Sequence, residues 1–529
     1  MTFMEKPTAN RQIARAASTV MLAFIISNLI GLVRQIVIAH AFGTGSDVEA
    51  FNAANRVAEV LFNLTAGGAL ASAFVPTFTG LLAKEDKTGA WKLASAIANL
   101  LICILIFVAF FAAIFAPVIV QRLLAPGFEP EKQLLTIRLL RILLPSVVIF
   151  GISGLVMGIL NSHQKFLIPA LTPAMYALGM IFGVLVLSPS QGIFGLAWGA
   201  VIGAALHLLL QIPSLFKLDG VYTAAFGLEN LLVRQVGRLM LPRLFGAAIV
   251  QLNFWVNTLL ASYLPDGSLN GIVYAFQLML MPQAAIAQSI AIAAMPTFSA
   301  QAALGKLNEM RASLAASIRG VLLLSMPAAA GLMLLRTPII ALLYQRGVFD
   351  AHSTELVSWA LLWYAAGLVG HSVVEILARA FYALHDTRTP VIVGAAAMGL
   401  NIGLSFLFIW LFSSIGWMPH GGLALANSTA TALEMVGLLI LIRKKLSGIE
   451  GTRIIKSVWQ GFAGALSMTA SIFGVLRILS GSSNTVQCIV AIIVGGAVYV
   501  ATLNVIRTEE VGMLISAIKQ RLTGVKIAR

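Results

Sequence analysis

The chain has 529 residues, 59% hydrophobic and only 10% charged, where soluble domains carry about 25% charged residues. Its mean hydropathy of +0.93 excludes a cytosolic enzyme, a secreted disulfide scaffold and a disordered chain, and leaves an all-α polytopic membrane protein. A net charge of +15 would suggest nucleic acid in a soluble protein, but here its placement reads as membrane orientation, and no nucleic-acid partner is expected.

About 14 apolar segments are long enough to span, each needing about 20 residues. They cover 17–39, 50–82, 93–120, 134–160, 167–188, 193–215, 239–263, 270–299, 312–343, 356–382, 390–412, 421–442, 456–479 and 485–506. The first follows a basic tail (Lys6, Arg11, Arg15) and reads as an uncleaved helix. The runs are too long, and alternate too little, for strands.

Polar residues inside these segments are the candidate functional groups, because a charge at a helix centre costs about 2.5–3.5 kcal/mol on insertion scales. In the first segment Ser27, Gly31 and Arg34 share a helical face. Arg34 has no acid within a turn, and its planar fork suits phosphate oxygens. The second carries a stripe of Asn52, Asn55, Arg56, Glu59 and Asn63, in which Arg56 and Glu59 are spaced to neutralise one another. The seventh places Arg243, Asn253 and Asn257 near one face, and the eighth adds Gln277 and Gln288. Such amides also serve as glue between membrane helices. In the tenth, His371, Glu375 and Arg379 are spaced by four, as a proton or cation relay or as a self-neutralised row. The tail from about Thr508 alternates apolar and basic residues and is expected to lie on the membrane surface.

Basic residues test this count. Loops on the side of the N-terminus, with the C-terminal tail, hold 23 Lys and Arg; the opposite loops hold four, Arg122, Lys132, Arg346 and Arg477. The positive-inside rule therefore puts both ends in the cytoplasm, as an even number of helices requires. The chain also repeats. Pro76-Thr77-Phe78 recurs as Pro296-Thr297-Phe298, Gly127-Phe128 is echoed by Gly347-Val348-Phe349, and Pro169 by Pro390, all about 220 residues apart. Two pseudo-symmetric six-helix lobes are expected, 1–216 and 217–445, with two further helices and the tail in 446–529. There is no Walker A motif and no zinc-spaced Cys/His cluster. No enzyme activity, metal or cofactor is expected, and energy would come from membrane potential or an ion gradient.

Several motifs are similar to those of one family. They are Gly31-Leu32-Val33-Arg34, Ala41-Phe42-Gly43, Ala73-Phe74-Val75-Pro76, Asn257 to Ser262, Tyr274-Ala275, Gln345-Arg346-Gly347-Val348-Phe349 and, most specifically, Phe381 to Pro390. Together they resemble the MurJ/MviN family of lipid II flippases, over nearly the whole chain. The resemblance implies a multidrug/oligosaccharidyl-lipid/polysaccharide exporter fold with a cationic central cavity. It also implies outward movement of an undecaprenyl-diphosphate-linked peptidoglycan precursor by alternating access at the cytoplasmic membrane, and a groove for the lipid tail in the extra helices. Several family charges are replaced here, by Asn28, Phe62, Gly67, Phe276, Gln277 and Leu280. Arg34 becomes the expected diphosphate contact, with Arg56 and Arg243 as secondary cations. Asn28, Asn253, Asn257 and Gln277 would be hydrogen-bonding groups, and Glu59, His371, Glu375 and Arg379 would set lobe electrostatics. Partners would be lipid II or a related lipid, membrane lipids and cell-wall synthesis proteins. A cation-coupled drug exporter and a transport-dead envelope scaffold are the competing readings.

Overall fold

The computed structural model describes residues 9–65 and 68–508, and every regular element among them is a helix. Helix α1 spans Ala9–Phe42, α2 Ser46–Thr65, α3 Gly68–Ala83, α4 Lys87–Ile114, α5 Pro130–Ser162, α6 Leu167–Gln191 and α7 Ile193–Phe216. Then come α8 Leu231–Ala261, α9 Ser268–Ala303, α10 Leu307–Leu334, α11 Arg336–Tyr344, α12 Ala351–Ala383, α13 Arg388–Ser414, α14 His420–Lys445, α15 Gly451–Ile478 and α16 Asn484–Val505. Among the described residues, 12 helices are long and apolar enough to cross a membrane. The expected segment 239–263 falls largely in α8, whereas the single span expected over 50–82 is divided between two shorter helices, α2 and α3. The tail from residue 509 lies outside the described residues.

Local chemistry sets the helix ends. Asp86, Asn230, Asp350 and Ser483 each accept a hydrogen bond from a backbone N–H of the first turn that follows. Pro130 opens α5, where its missing donor costs nothing. Pro282 withdraws a donor inside α9, and a turn of π-helix follows at Ala284–Gln288.

The chain divides into two compact units, Met1–Asp266 with Gly347–Phe349, and Gly267–Arg346 with Asp350–Arg529. The repeat seen in the Pro and Gly motifs recurs in the element boundaries. Helices α4 and α10 start at 87 and 307, α5 and α12 at 130 and 351, α6 and α13 at 167 and 388. Packing repeats as well. In the first unit α5 is packed by α2, α4 and α7; in the second, α12 is packed by α9, α10 and α14. Helix α6 lies along α7 as α13 lies along α14. The counterparts α1 and α8 break the pattern, since α1 packs on α6 whereas α8 packs on α2 and α3. Helices α15 and α16 pack on α10 and α11 of the second unit, where the Tyr499 hydroxyl donates to the Leu323 carbonyl at 2.7 Å.

The repeated glycines have a structural role inside the first unit. Gly127 N donates to Ser262 Oγ at 3.2 Å just past α8, and a Cβ on Gly127 would stand 2.6 Å from the Ser262 carbonyl. In the same way Val348 N donates to the His40 carbonyl near the end of α1 at 3.0 Å, and a Cβ on Gly347 would strike that carbonyl. Each glycine loop thus docks on the closing turn of a first-of-repeat helix, at a distance only glycine permits.

Helices α6 and α7 meet backbone to backbone. A Cβ on Gly183 would lie 2.5 Å from Gly199 Cα, and one on Gly199 would lie 2.7 Å from Gly183 Cα. Close approach of this kind replaces the hydrophobic driving force that helices lack in lipid. Gly199→Ala should overpack the crossing by about 1–3 kcal/mol. Thermal unfolding of the detergent-purified protein should show a lowered midpoint; an unchanged midpoint would contradict this packing.

Candidate functional site

In the first unit, α1 lies against α6. Ser27 Oγ donates to the Ala170 carbonyl at 2.9 Å, and two turns along the same face Arg34 reaches the same neighbour, with Nη1 3.9 Å from Met180 Sδ. Thioether sulfur is a weak acceptor, and Arg34 Nε is buried with no hydrogen-bond partner. Arg34 therefore stands near the middle of the Ile25–Phe42 span with no ion pair among the described residues. Gly31, on the same face, leaves open space. Asn28 is exposed on α1.

Arg56 has a different setting. Its Nη1 donates to Glu59 Oε2 at 2.7 Å, and the other oxygen of that carboxylate accepts from Asn55 Nδ2 at 2.8 Å. The guanidinium also sits over the Phe254 ring of α8, 5.2 Å from its centroid. Arg56 is thus half of an ion pair, as its spacing to Glu59 suggested. Asn253 and Asn257 are buried on α8, flanking the turn that carries Phe254. Arg243 lies in α8, but its side chain is outside the described residues.

The position where the resemblance leads one to expect arginine, Phe62, is filled by aromatic packing. Its ring lies 4.8 Å from Phe150, which meets Tyr176 at 5.1 Å and His207 at 5.3 Å. His207 Nδ1 is 2.6 Å from Ser153 Oγ, and Gln211 Nε2 donates to the same hydroxyl at 2.6 Å. This part of the unit is a polar knot inside aromatic packing.

The row expected in α12 divides. Arg379 donates to Glu375 at 2.8 Å, as their spacing suggested. His371 does not join them; its Nε2 pairs with Asn427 Oδ1 of α14 at 3.0 Å and lies 3.4 Å from Thr431 Oγ1. Gln277 is half-buried on α9 beside Phe276, whose ring meets Tyr364 at 5.2 Å.

Two ionic clusters escaped the sequence. Lys132, counted there as a loop cation, is buried in the first turn of α5, where it is ion-paired with buried Glu49 and lies 2.7 Å from Asp266. It also caps the Phe128 ring at 4.1 Å, and Ser46 donates to Asp266 at 2.7 Å. The hydrogen bond from Lys132 holds the Asp266 carboxyl below the usual carboxylate range. No short-range pattern announces this cluster, because its acids lie 83 and 134 residues from the lysine. The second cluster explains the most specific motif. Asp386 accepts from Lys445 at 2.7 Å, from the Thr389 backbone N–H at 3.0 Å and from the Thr389 hydroxyl at 2.7 Å. These donors, Lys445 above all, hold its carboxyl far below the ordinary range. Asp386 thus ties the α12–α13 connection to the end of α14.

The comparisons with known proteins fall in line. A family model described as "Lipid II flippase MurJ" matches residues 38–495. The chain belongs to the MurJ lipid II flippase family. A relative from Burkholderia cenocepacia, named lipid II flippase MurJ, is 29% identical over 480 residues, covering 88% of this chain and 89% of the relative. A probable lipid II flippase MurJ from Vibrio cholerae is 30% identical over 480 residues, with 89% of each covered. Among solved structures, a lipid II flippase MurJ in an inward closed conformation matches with a TM-score of 0.79 at 24% identity, covering 92% of this chain and 98% of that one. An inward-facing MATE family multidrug resistance transporter of the MOP superfamily matches with a TM-score of 0.69 at 14% identity, covering 82% and 99%. Family membership and the 12 helices long and apolar enough to cross a membrane among the described residues make the chain a multi-pass membrane protein of a transporter family.

Removing one partner of a buried ion pair strands the other, at a cost of about 3–5 kcal/mol. Lys132→Ala should lower stability by that order, and adding Glu49→Gln should recover part of it. Melting of the purified variants checks this; equal melting of wild type and Lys132→Ala would contradict it.

Proposed function

We propose that this chain moves lipid II, the undecaprenyl-diphosphate-linked peptidoglycan precursor, across the cytoplasmic membrane by alternating access, with both termini in the cytoplasm. Family membership supports the substrate class, and the loop charge asymmetry supports the orientation. One observation carries the chemistry: Arg34, near the middle of an apolar span, has no carboxylate partner among the described residues. A guanidinium offers paired donors that match two phosphate oxygens, and a diphosphate would supply the missing charge. Asn253 and Asn257 would add hydrogen bonds to phosphate or sugar. Arg56, with Glu59 as its partner, would tune the local field. Membrane potential or an ion gradient would drive the cycle, and cell-wall synthesis proteins are candidate partners.

The drug-exporter reading draws less support. It would use Glu59 and Glu375 as cation sites, and each already faces an arginine. Replacing Arg34 with Ala should abolish rescue of a flippase-depleted strain, a loss of at least about tenfold in transport if about 1.4 kcal/mol of substrate interaction is removed. Arg34→Lys should rescue poorly, because an ammonium lacks the planar fork. Normal growth with Arg34→Ala at normal expression would refute the role and favour a scaffold.

A further inference from the structure

One intramembrane carboxylate takes no part in the site above. Glu434 lies near the midpoint of α14, half-buried. It has no hydrogen bond or ion pair among the described residues, whereas Glu59 and Glu375 are both compensated by arginine. Across from it, α13 presents Gly394, where a Cβ would stand 3.3 Å from Glu434 Oε1. The carboxyl thus occupies the space that a side chain on α13 would take. Val393, Met435, Leu438 and Leu439 beside it belong to the apolar core of the second unit.

The titratable groups on the packed helices are few. Gly370 of α12 meets Ala432 of α14, which brings His371, Glu375 and Arg379 nearest in register. His371 is taken by Asn427, and Arg379 by Glu375. Further along α12 lie His352, Glu355, Tyr364 and Tyr382. Helix α13 adds only Arg388 at its start, and α9 only Tyr274. Helix α14 itself carries His420 at one end and Arg443, Lys444 and Lys445 at the other.

We propose that Glu434 is a proton-binding site of the second unit and that its loading and unloading couple a proton gradient to transport. The coupling rests on the flippase reading; the proton site does not. An ionisable group at bilayer depth needs a compensating charge, and Glu434 has no cation partner among the described residues. Hard metal cations are held by several oxygen ligands, and no group of three or more His, Cys, Asp or Glu able to hold a metal occurs among the described residues. A proton needs one carboxylate oxygen. Uptake forms one O–H bond with a proton from hydronium, leaving water; release breaks that bond and returns the proton to water.

Dicyclohexylcarbodiimide modifies carboxylic acids in apolar sites and provides a direct test on the purified full chain. Peptide mass spectrometry should find the adduct on Glu434, diminishing as the buffer is made alkaline and missing from Glu434→Gln. Folded protein that never labels at Glu434, in any buffer, overturns the proton site. Lipid II movement in reconstituted vesicles tests the coupling. A pH gradient should accelerate transport by the unmodified chain and by Glu434→Asp, and this response should be lost in Glu434→Gln. An equal response in Glu434→Gln, or a response to sodium alone, overturns the coupling. If the unmodified chain moves no lipid II under any gradient, the flippase reading fails, and carbodiimide labelling alone decides the proton site.

Discussion

A charge taken out of water must be neutralised, and the structure is organised by how each buried charge meets that demand. Lys132 does so with Glu49 and Asp266, closing a cluster around a connection that no local pattern links. Arg56 does so with Glu59, one helical turn away. Arg34 does not do so within the described residues: its Nε has no partner and its fork meets only a thioether. Breaking a buried pair is costly and replacing one outright is often neutral. A lone arginine is therefore the feature that structure alone explains least and a phosphate ligand explains best.

The repeat supplies the frame. The same order of helices is laid down twice, about 220 residues apart, and the same packing recurs around α5 and around α12. Divergence between the copies marks what is specialised. Helices α1 and α8, the first of each repeat, pack differently although they are counterparts, and both bear groups of the candidate site. The two glycine loops dock on the closing turns of these same helices, Gly127 on Ser262 and Gly347 on His40. The motif around Gly347 thus docks on the closing turn of α1.

Fold and site were unequally legible. Apolar run length and the positive-inside asymmetry give the class and the segments, because lipid permits so few backbone solutions. Arg34 stood out for the same reason: one charge in an apolar run is visible without structure. The Glu375–Arg379 pair followed from helical spacing. His371 did not, because its partner Asn427 lies 56 residues away on another helix. Lys132 looked like a loop cation because chain position does not report burial. Asp386, in the most specific motif, turned out to join helix ends, which its neighbours in sequence could not reveal. Glu434 has no charged neighbour at helical spacing to mark it in the sequence, and its place beside Gly394 of α13 is a fact of packing.

The central claim is that Arg34 is neutralised by the diphosphate of its substrate. Native mass spectrometry of the purified chain with lipid II tests this directly. The account predicts a lipid II adduct on the unmodified chain that persists in Arg56→Gln and is lost in Arg34→Gln, with both variants folded. An adduct retained in full by Arg34→Gln would contradict it.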